Sequence, residues 1–264
     1  MQSEAWQWKD DHWEAASGVP LMDRGFRHGL SAFETLKIHR GRFVFLEEHL
    51  EKLRHSCARL GFREPPSPAD FLLPVFAGAL TAFSVARIYV TAGDGSFRSS
   101  TRDGRIFLLL EAAPVSAPPH TLGLSTAPFT AVWPGLKTGN YGPNITAYRE
   151  AAEGGNDEIV LVNAVKHVVS ASLANLFAVI DGLLLTPRVS TGARAGVVRD
   201  WVISREEVII SDFHPEQLRT ASEIFLTSSG FGIAPISHLD GKPLPEARIG
   251  RKLLSDYSRW LDSA

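Results

Sequence analysis

A stretch rich in proline and small residues near the middle of the chain places the strongest constraint on its architecture. Residues 112–120 read AAPVSAPPH and have no apolar period, which is typical of a linker. The stretch predicts an N-terminal α+β domain over 1–113, a linker over 114–121 and a C-terminal domain over 122–264. The length of 264 residues agrees with one or two domains of ordinary size.

The N-terminal part contains the clearest helix pattern. Apolar residues recur there at intervals of four, three, four and three, which places them on one face of an amphipathic helix: Leu46, Leu50, Leu53, Cys57 and Leu60. Tryptophans that alternate with polar residues over 6–19 predict a short two-stranded ribbon. The remaining pattern predicts a helical stretch over 68–80 and strands over 86–91 and 105–111.

The C-terminal part predicts a meander of strands mixed with helices. A strand begins near Leu122, and a loop over 133–141 leads into a helix over 144–153. Further strands are predicted over 158–162, 167–170, 175–180, 183–186, 208–210 and 223–228. Further helices are predicted from Val197, over 215–221 and at the C-terminus. Both parts are therefore expected to be of the α+β class.

Composition and charge exclude several classes of partner. The 29 acidic and 27 basic residues give a net charge of −2, which offers no basic field for nucleic acid. The longest largely apolar stretch, 71–83, contains Pro74 and is shorter than the roughly 20 residues that a membrane span needs. The N-terminus has no signal-peptide pattern, and the single Cys57 allows neither an internal disulfide nor a multi-cysteine zinc site. We expect a cytoplasmic protein without a metal site.

Lysine is scarce, so a lysine in a loop is informative. Only seven of the 27 basic residues are lysines, and one of them, Lys137, lies in the predicted loop GLKTGNY. Gly196 precedes a predicted helix, whose first backbone N–H groups are suited to binding an anion. The polar loop 227–230 follows a predicted strand and could add hydroxyl donors to the same anion.

The order and spacing of these residues resemble the fold-type IV pyridoxal-phosphate enzymes. This class IV aminotransferase family includes branched-chain and D-amino acid aminotransferases and 4-amino-4-deoxychorismate lyase. The matching stretches cover most of the chain: 23–29, 32–35, 45–53, 137–141, 157–158, 174–177, 186–187, 196–200 and 225–235. The resemblance implies a two-domain α+β fold like that of D-amino acid aminotransferase, pyridoxal 5'-phosphate as cofactor, a small-molecule amino substrate and a homodimer.

The resemblance also implies roles for individual residues. Lys137 would hold the cofactor aldehyde as a Schiff base and move protons between substrate carbons, and Tyr141 would hydrogen-bond the cofactor's phenolic oxygen. The other residues implied in cofactor binding are Lys52, Ser170, Gly196, Val197, Val198, Ser228 and Ser229. Candidates for substrate contacts are His28, Arg87 and Arg98, and His28 has the alternative of being a partly buried histidine satisfied by the backbone.

Two positions depart from the family pattern. Lys52 stands where the family has an arginine on the phosphate, so the charge is kept but the bidentate fork is lost. Ser170 stands where a glutamate pairs with the pyridine nitrogen, and a carboxylate there typically raises the pKa of a cation by about 1–3 units. A hydroxyl cannot supply that stabilisation, which favours elimination over transamination by analogy with unrelated pyridoxal enzymes.

Two hypotheses follow from these positions. In the first, the chain is a pyridoxal-phosphate enzyme that acts on an amino acid or an amino-chorismate-like substrate, by transamination or by elimination of the aminodeoxychorismate lyase type. In the second, it is a degenerate member of the family with weakened or lost catalysis.

Overall fold

The computed structural model describes residues 3–71, 79–112, 117–125 and 128–263. The chain forms two compact units: the first unit is Met1–Val115 with Lys137–Asn140, and the second unit is Ser116–Leu136 with Tyr141–Ala264. The predicted domain boundaries remain a prediction. The division differs from them at the segment that carries Lys137, which belongs to the first unit rather than to the C-terminal part.

The first unit is built on an antiparallel sheet in the order β2-β1-β6-β5-β3-β4. Its strands are β1 (Ser3–Lys9), β2 (His12–Ala15), β3 (Ser31–His39), β4 (Arg42–Phe43), β5 (Val85–Thr91) and β6 (Ile106–Glu111). Its helices are α1 (Arg24–His28), α2 (Leu46–Leu60) and α3 (Pro68–Phe71), with a 3₁₀ turn at Ala79–Ala82.

The core of the first unit lies between α2 and one face of this sheet. Leu50 and Leu53 of α2 are fully buried in one cluster with Leu36 of β3 and Ile88 of β5. Burying side chains of this size stabilises a fold by about 1.5–3 kcal/mol each. Because side chains alternate along a strand, Thr35 lies on the opposite face of the sheet from Leu36 and α2.

The structure confirms the amphipathic helix and the N-terminal ribbon. The helix α2 spans the predicted residues, and β1 pairs with β2 so that Trp8 lies opposite Trp13. Val19, which was included in the ribbon pattern, lies beyond β2 and is exposed. The predicted stretch 68–80 is α3 followed later by the 3₁₀ turn, and its residues 72–78 lie outside the described residues.

The second unit contains two five-stranded sheets, in the orders β12-β11-β10-β13-β14 and β16-β15-β7-β8-β9. Its strands are β7 (Thr121–Leu124), β8 (Glu158–Val162), β9 (Val168–Ala171), β10 (Asn175–Ile180), β11 (Leu183–Pro187), β12 (Ile209–Ser211), β13 (Glu223–Ser228), β14 (Gly232–Pro235), β15 (His238–Leu239) and β16 (Lys242–Pro243). Its helices are α4 (Gly142–Glu153), α5 (Val197–Ile203), α6 (Pro215–Leu218) and α7 (Ile249–Ser263), with a 3₁₀ turn at Val189–Thr191.

The second unit's core joins residues from both of its sheets. Val160 of β8, Leu176 of β10 and Leu226 of β13 are fully buried in one cluster. On the outer side of β8 and β9, Ala147 and Ala151 of α4 pack in a smaller cluster. The start of α7 is fixed by Glu223, whose buried carboxylate accepts hydrogen bonds from the first backbone N–H groups there. None of the described helices is long and apolar enough to cross a membrane.

Candidate active site

Lys137 is mounted on the sheet of the first unit by backbone pairing. The Phe33 N–H donates to the Lys137 carbonyl at 2.9 Å, and the Gly139 N–H donates to the Ser31 carbonyl at 2.8 Å. The Lys137 ammonium lies 3.1 Å from Thr35 Oγ1 and 4.7 Å from the centre of the Phe33 ring. These contacts hold Lys137 beside β3, with its amine on the sheet face that α2 does not cover.

The same face of the sheet carries further cationic residues. Arg87 of β5 lies directly opposite Thr35, so the two side chains share a face. Its guanidinium forms an ion pair with Glu111 of β6, which neutralises part of its charge. Lys37 lies two residues along β3 on this face, and burial lowers the pKa of its ammonium below the usual value. Of the three candidate substrate residues, Arg87 is the one that the structure brings near Thr35.

Lys52 lies on α2, which packs against the other face of this sheet. Its side chain is partly buried, whereas His49, one turn earlier on the same helix, is buried. His49 Nδ1 lies 2.8 Å from Glu34 Oε2 of β3, a pair that ties the helix to the strand. The structure therefore does not place Lys52 on the sheet face of Lys137, and its contact with a phosphate remains a proposal.

His28 and Arg98 lie on loops that one buried arginine organises. Arg24 is 2% exposed and donates hydrogen bonds to five backbone carbonyls between residues 92 and 100. Its neighbour Asp23, which caps α1, is fully buried and accepts from Thr91 Oγ1 at 2.8 Å. Arginine is suited to this role because its five donors are fixed in one plane. The 23–29 motif thus holds the loop 92–100 in place.

The histidine and arginine candidates themselves are exposed. The His28 ring lies 5.1 Å from the ring of Phe97, which is 89% exposed. His28 is therefore not the partly buried histidine that was its alternative. Arg98 is also exposed, and its backbone N–H donates to Ser96 Oγ at 3.3 Å. Both side chains are exposed on backbone that the Arg24 hydrogen bonds hold in place, and their roles toward a substrate remain predictions.

Tyr141, in the second unit, is paired with an arginine. The Arg194 guanidinium stacks on the Tyr141 ring, with its central carbon 4.2 Å from the ring centre, and also donates to the Tyr141 hydroxyl oxygen. The Arg194 carbonyl accepts from Asn175 Nδ2 at 2.8 Å. Tyr141 itself immediately precedes α4 as its N-cap. The tyrosine is therefore held by both its backbone and its ring.

Gly196 begins α5 in close contact with Asn175. A Cβ on Gly196 would lie 2.1 Å from Asn175 Oδ1, so only glycine fits without moving that side chain. Val197 and Val198 follow with buried side chains, which leaves their backbone N–H groups as the polar groups of this turn. The first N–H groups of a helix have no acceptor within the helix. The turn has the donors that the sequence predicted for a phosphate.

Ser170 is buried on β9, and its Oγ donates to the neighbouring Ala171 carbonyl at 2.8 Å. The turn after it is clamped by Glu158, which accepts from Ser172 N at 3.1 Å, Ser172 Oγ at 2.5 Å and Leu173 N at 3.0 Å. Burial raises the pKa of the Glu158 carboxyl, and these hydrogen bonds partly oppose the rise. This carboxylate serves the turn, and Ser170, predicted to stand at the family's glutamate position, offers a hydroxyl.

The end of β13 contributes hydroxyl groups. Ser228 Oγ accepts from the Phe231 N–H at 3.3 Å, and Ser229 follows in the turn to β14. Thr227 is 1% exposed, and its Oγ1 has no hydrogen-bond partner among the described residues. Thr227 lies directly opposite Asn175 in the β10–β13 pair, so the two share a face. A buried hydroxyl without a partner is costly and indicates a place for an acceptor.

A comparison with known families decides the class. A model of the family described as amino-transferase class IV matches residues 31–239. The chain belongs to this family. It is accordingly a pyridoxal-phosphate-dependent enzyme of the aminotransferase and lyase class. Its two-domain α+β fold is that of the fold-type IV enzymes.

Individual relatives of both activities are similar over most of their length. A putative branched-chain-amino-acid aminotransferase from Methanocaldococcus jannaschii is 27% identical over 256 residues, which cover 90% of this chain and 88% of that protein. A solved structure of 4-amino-4-deoxychorismate lyase from Pseudomonas aeruginosa is 29% identical with a TM-score of 0.83, covering 98% of this chain and 99% of that one. A fold IV transaminase from Curtobacterium pusillum, 22% identical with a TM-score of 0.83, covers 100% of both chains.

The donors present fit most of pyridoxal phosphate. The Lys137 amine suits the aldehyde, and the Tyr141 hydroxyl suits the phenolic oxygen. The α5 turn and the unpartnered Thr227 hydroxyl suit a phosphate. At the ring nitrogen the expected partner is a hydroxyl, Ser170, instead of a carboxylate. Among the described residues no cluster of histidine, cysteine, aspartate or glutamate could hold a metal ion.

Sequence reasoning missed several residues of this arrangement. Thr35 and Arg194 were not singled out, although each contacts a predicted site residue. Thr227 was named only as part of a polar loop, and Arg24 only as part of a motif. Arg24 was missed because its role depends on its burial among the backbone carbonyls of a distant loop, which a sequence alone does not display. For Arg194 a sequence signal was available, because it lies two residues before Gly196, the glycine that precedes the predicted anion-binding helix.

Proposed function

We propose that the protein catalyses a pyridoxal-phosphate-dependent elimination on an amino-chorismate-like substrate, with Lys137 as the catalytic lysine. The observation that carries this choice is Ser170, a buried hydroxyl that donates to Ala171 at the place predicted for the family's ring-nitrogen glutamate. Without a carboxylate there, the ring nitrogen lacks the partner that favours its protonated form. Support also comes from the similarity to aminodeoxychorismate lyases of Pseudomonas aeruginosa and Vibrio harveyi.

The proposed roles of the chain's own residues follow from their contacts. Bound pyridoxal phosphate supplies an electron sink for negative charge that develops next to the substrate nitrogen. The Lys137 amine, oriented by Thr35 Oγ1 and the Phe33 ring, takes up a proton from the substrate and returns it at a second carbon. Tyr141 donates to the phenolic oxygen. The cofactor-binding roles of Lys52, Ser170, Gly196, Val197, Val198, Ser228 and Ser229 are proposed from the family resemblance.

Transamination is the second candidate. It is supported by the branched-chain aminotransferase of Methanocaldococcus jannaschii, which is similar over 90% of this chain. It is also supported by Arg87, a guanidinium opposite Thr35 that suits a substrate carboxylate. The degenerate alternative has no support among these comparisons. Localisation in the cytoplasm, a homodimeric assembly and substrate roles for His28 and Arg98 are further proposals from the family resemblance.

The first experiment tests the lysine. Purified protein mixed with pyridoxal phosphate should develop a visible absorption band, and Lys137→Ala should lose it together with at least about 10³-fold of turnover, because no other group replaces the amine. Lys242→Ala, which removes an exposed lysine, is the control and should leave both unchanged. A band that persists unchanged in Lys137→Ala would exclude Lys137 as the attachment point.

The second experiment tests the reaction type. The wild-type protein should release pyruvate from aminodeoxychorismate faster than it transfers amino groups to keto acids. Ser170→Glu should increase amino transfer by about 10-fold or more relative to pyruvate release, because a carboxylate favours the protonated ring nitrogen. Ser170→Ala keeps the site uncharged and should retain the wild-type ratio. Fast amino transfer in wild type that Ser170→Glu leaves unchanged would contradict the assignment to elimination.

A further inference from the structure

Arg194 and Tyr141 form a close pair in the second unit. The guanidinium lies over the ring, with its central carbon 4.2 Å from the ring centre, and it also donates to the hydroxyl oxygen. Such a double contact holds the phenol in one orientation, since stacking fixes the ring plane and the hydrogen bond fixes its tip.

The backbone of Arg194 is itself held in place. Its carbonyl accepts from Asn175 Nδ2 at 2.8 Å, and its segment forms a parallel bridge with Gly135. The adjacent Ala193 carbonyl accepts from the Gly135 N–H at 3.1 Å. Asn175 in turn lies against Gly196 at the start of α5. Arg194 therefore connects the tyrosine proposed for the phenolic oxygen to the turn proposed for the phosphate.

The hydrogen bond has a direction that matters for chemistry. Because the Arg194 N–H donates, the Tyr141 oxygen is the acceptor in this pair, and the hydroxyl keeps its own O–H as a donor. A hydroxyl that accepts from a cation is a stronger donor through its own hydrogen, because hydrogen bonds in a chain polarise one another. Arg194 thus strengthens any hydrogen bond that Tyr141 donates.

We propose that Arg194 is a positioning residue that, through Tyr141, stabilises the anionic form of the cofactor's phenolic oxygen. This inference rests on the proposed function, in which Tyr141 donates to that oxygen. Arg194 supplies positive charge near the phenolic oxygen of the cofactor ring, whereas Ser170 supplies no charge at the ring nitrogen. The site would then favour negative charge on the phenolic oxygen without a protonated ring nitrogen.

The test is a pH titration of the visible band of the cofactor-loaded protein. Donors and positive charge at the phenolic oxygen lower the pH at which the bound chromophore loses its proton, because they stabilise the anion that remains. Arg194→Gln should therefore raise the titration midpoint by about 1 pH unit, the effect of one charge at this range in a partly solvated site. Arg194→Lys, which keeps the charge, should restore most of the wild-type midpoint.

A matched control exists in the same unit. Arg205 also stacks on an aromatic ring, with its central carbon 4.0 Å above Trp201, and donates to the Trp201 carbonyl at 3.3 Å. Arg205→Gln removes an equivalent stacked guanidinium away from Tyr141 and should leave the midpoint unchanged. Thermal unfolding of each variant shows whether the comparison is between folded proteins.

A double-mutant cycle tests the connection through the hydroxyl. Tyr141→Phe alone should also raise the midpoint, since it removes the donor to the phenolic oxygen. In the Tyr141→Phe background, Arg194→Gln should have less than half of its effect in wild type, because the path through the hydroxyl is gone. If Arg194→Gln does not fold, Tyr141→Phe and Arg194→Lys still decide: a Tyr141→Phe midpoint equal to wild type would overturn the proposal.

The outcomes separate this inference from the function on which it rests. A wild-type protein without a visible band would overturn both. A band that depends on Lys137 but has the same midpoint in Arg194→Gln and Arg205→Gln would overturn the role of Arg194 alone. A raised midpoint in Arg194→Gln that Arg194→Lys reverses supports it.

Discussion

The phosphate-binding groups proposed in the first unit and in the second unit differ in kind. In the second unit the donors are backbone N–H groups at the start of α5, where Gly196 lies against Asn175 and the valine side chains face the core. In the first unit the proposed group is one side chain, Lys52, on a helix whose buried face is fixed by the His49–Glu34 pair. The proposed anchor of the second unit is made of main chain and tight packing, and that of the first unit is the cation of a partly buried lysine.

The difference shows why the two anchors tolerate different substitutions. A backbone donor does not depend on side-chain chemistry, so the buried valines at 197 and 198 can stand at this turn. It depends instead on the space that Gly196 leaves for Asn175. A side-chain anchor depends on charge and shape, and lysine retains only the charge of arginine. The largest effects are therefore expected where main-chain geometry is disturbed.

The largest effect is expected from Gly196→Ala, which disturbs the proposed main-chain anchor of the second unit. Its Cβ would lie 2.1 Å from Asn175 Oδ1, so the Asn175 side chain must move and give up its hydrogen bond to the Arg194 carbonyl. We expect cofactor affinity to fall by about 10- to 100-fold, or roughly 1.4–2.8 kcal/mol. Equilibrium dialysis with pyridoxal phosphate measures the change.

Gly142→Ala is the matched control for this substitution. Gly142 begins α4 as Gly196 precedes α5, but a Cβ there meets no atom within 4 Å. The control should bind the cofactor as wild type does. Equal affinity in both alanine variants would show that the α5 turn does not contact the phosphate.

How well sequence predicted these regions depends on whether a signal is local. The helix α2 was predicted to its ends because its five apolar residues follow the helical period directly. Strand β3 was missed because buried Glu34 interrupts the alternation of apolar and polar residues. Glu34 is buried because His49, fifteen residues later, pairs with it. A long-range partner of this kind leaves no local trace.

The residues of the candidate site also differ in whether their sequence signal is local or depends on a distant partner. Lys137 and Gly196 were predicted from local patterns, a lysine in a loop and a glycine before a helix, whereas Tyr141 was predicted from the family resemblance. Arg194 was missed because its function depends on Tyr141, 53 residues away in the chain. The charge networks of Arg24 and Glu158 likewise satisfy backbone groups of distant segments, which only the fold brings together.

A smaller disturbance of the main-chain anchor is Glu158→Gln. The carboxylate accepts four hydrogen bonds, three from the turn between Ser170 and Asn175 and one from the Ile159 N–H. The NH₂ group of a glutamine side chain would face some of these N–H and O–H donors with a donor of its own. We expect the free energy of unfolding to fall by about 1–3 kcal/mol. Urea unfolding followed by tryptophan fluorescence measures it, and exposed Glu153→Gln should change it by less than about 0.5 kcal/mol.

The stability difference between wild type and Glu158→Gln should also change with pH, in a direction that the pKa of Glu158 sets. Burial raises the folded-state pKa of Glu158 above its usual 4.5, so folding favours the protonated carboxyl. That contribution is present below about pH 4.5 and is lost as the pH rises through the raised value. The stability advantage of wild type over Glu158→Gln should therefore shrink from pH 4 upward. An advantage that grows over this range would mean that the four hydrogen bonds outweigh the desolvation.

The smallest expected effect concerns the proposed anchor of the first unit, Lys52. Lys52→Arg restores the group that the family places on the phosphate, keeps the charge and adds a bidentate fork. We expect pyridoxal phosphate to bind about 3- to 10-fold more tightly, as measured by equilibrium dialysis at several salt concentrations. Lys9→Arg, a substitution on the exposed surface of the same unit, should have no effect. If Lys52→Arg leaves the affinity unchanged, α2 does not present this side chain to the phosphate, and the main-chain turn at Gly196 would be the principal anchor.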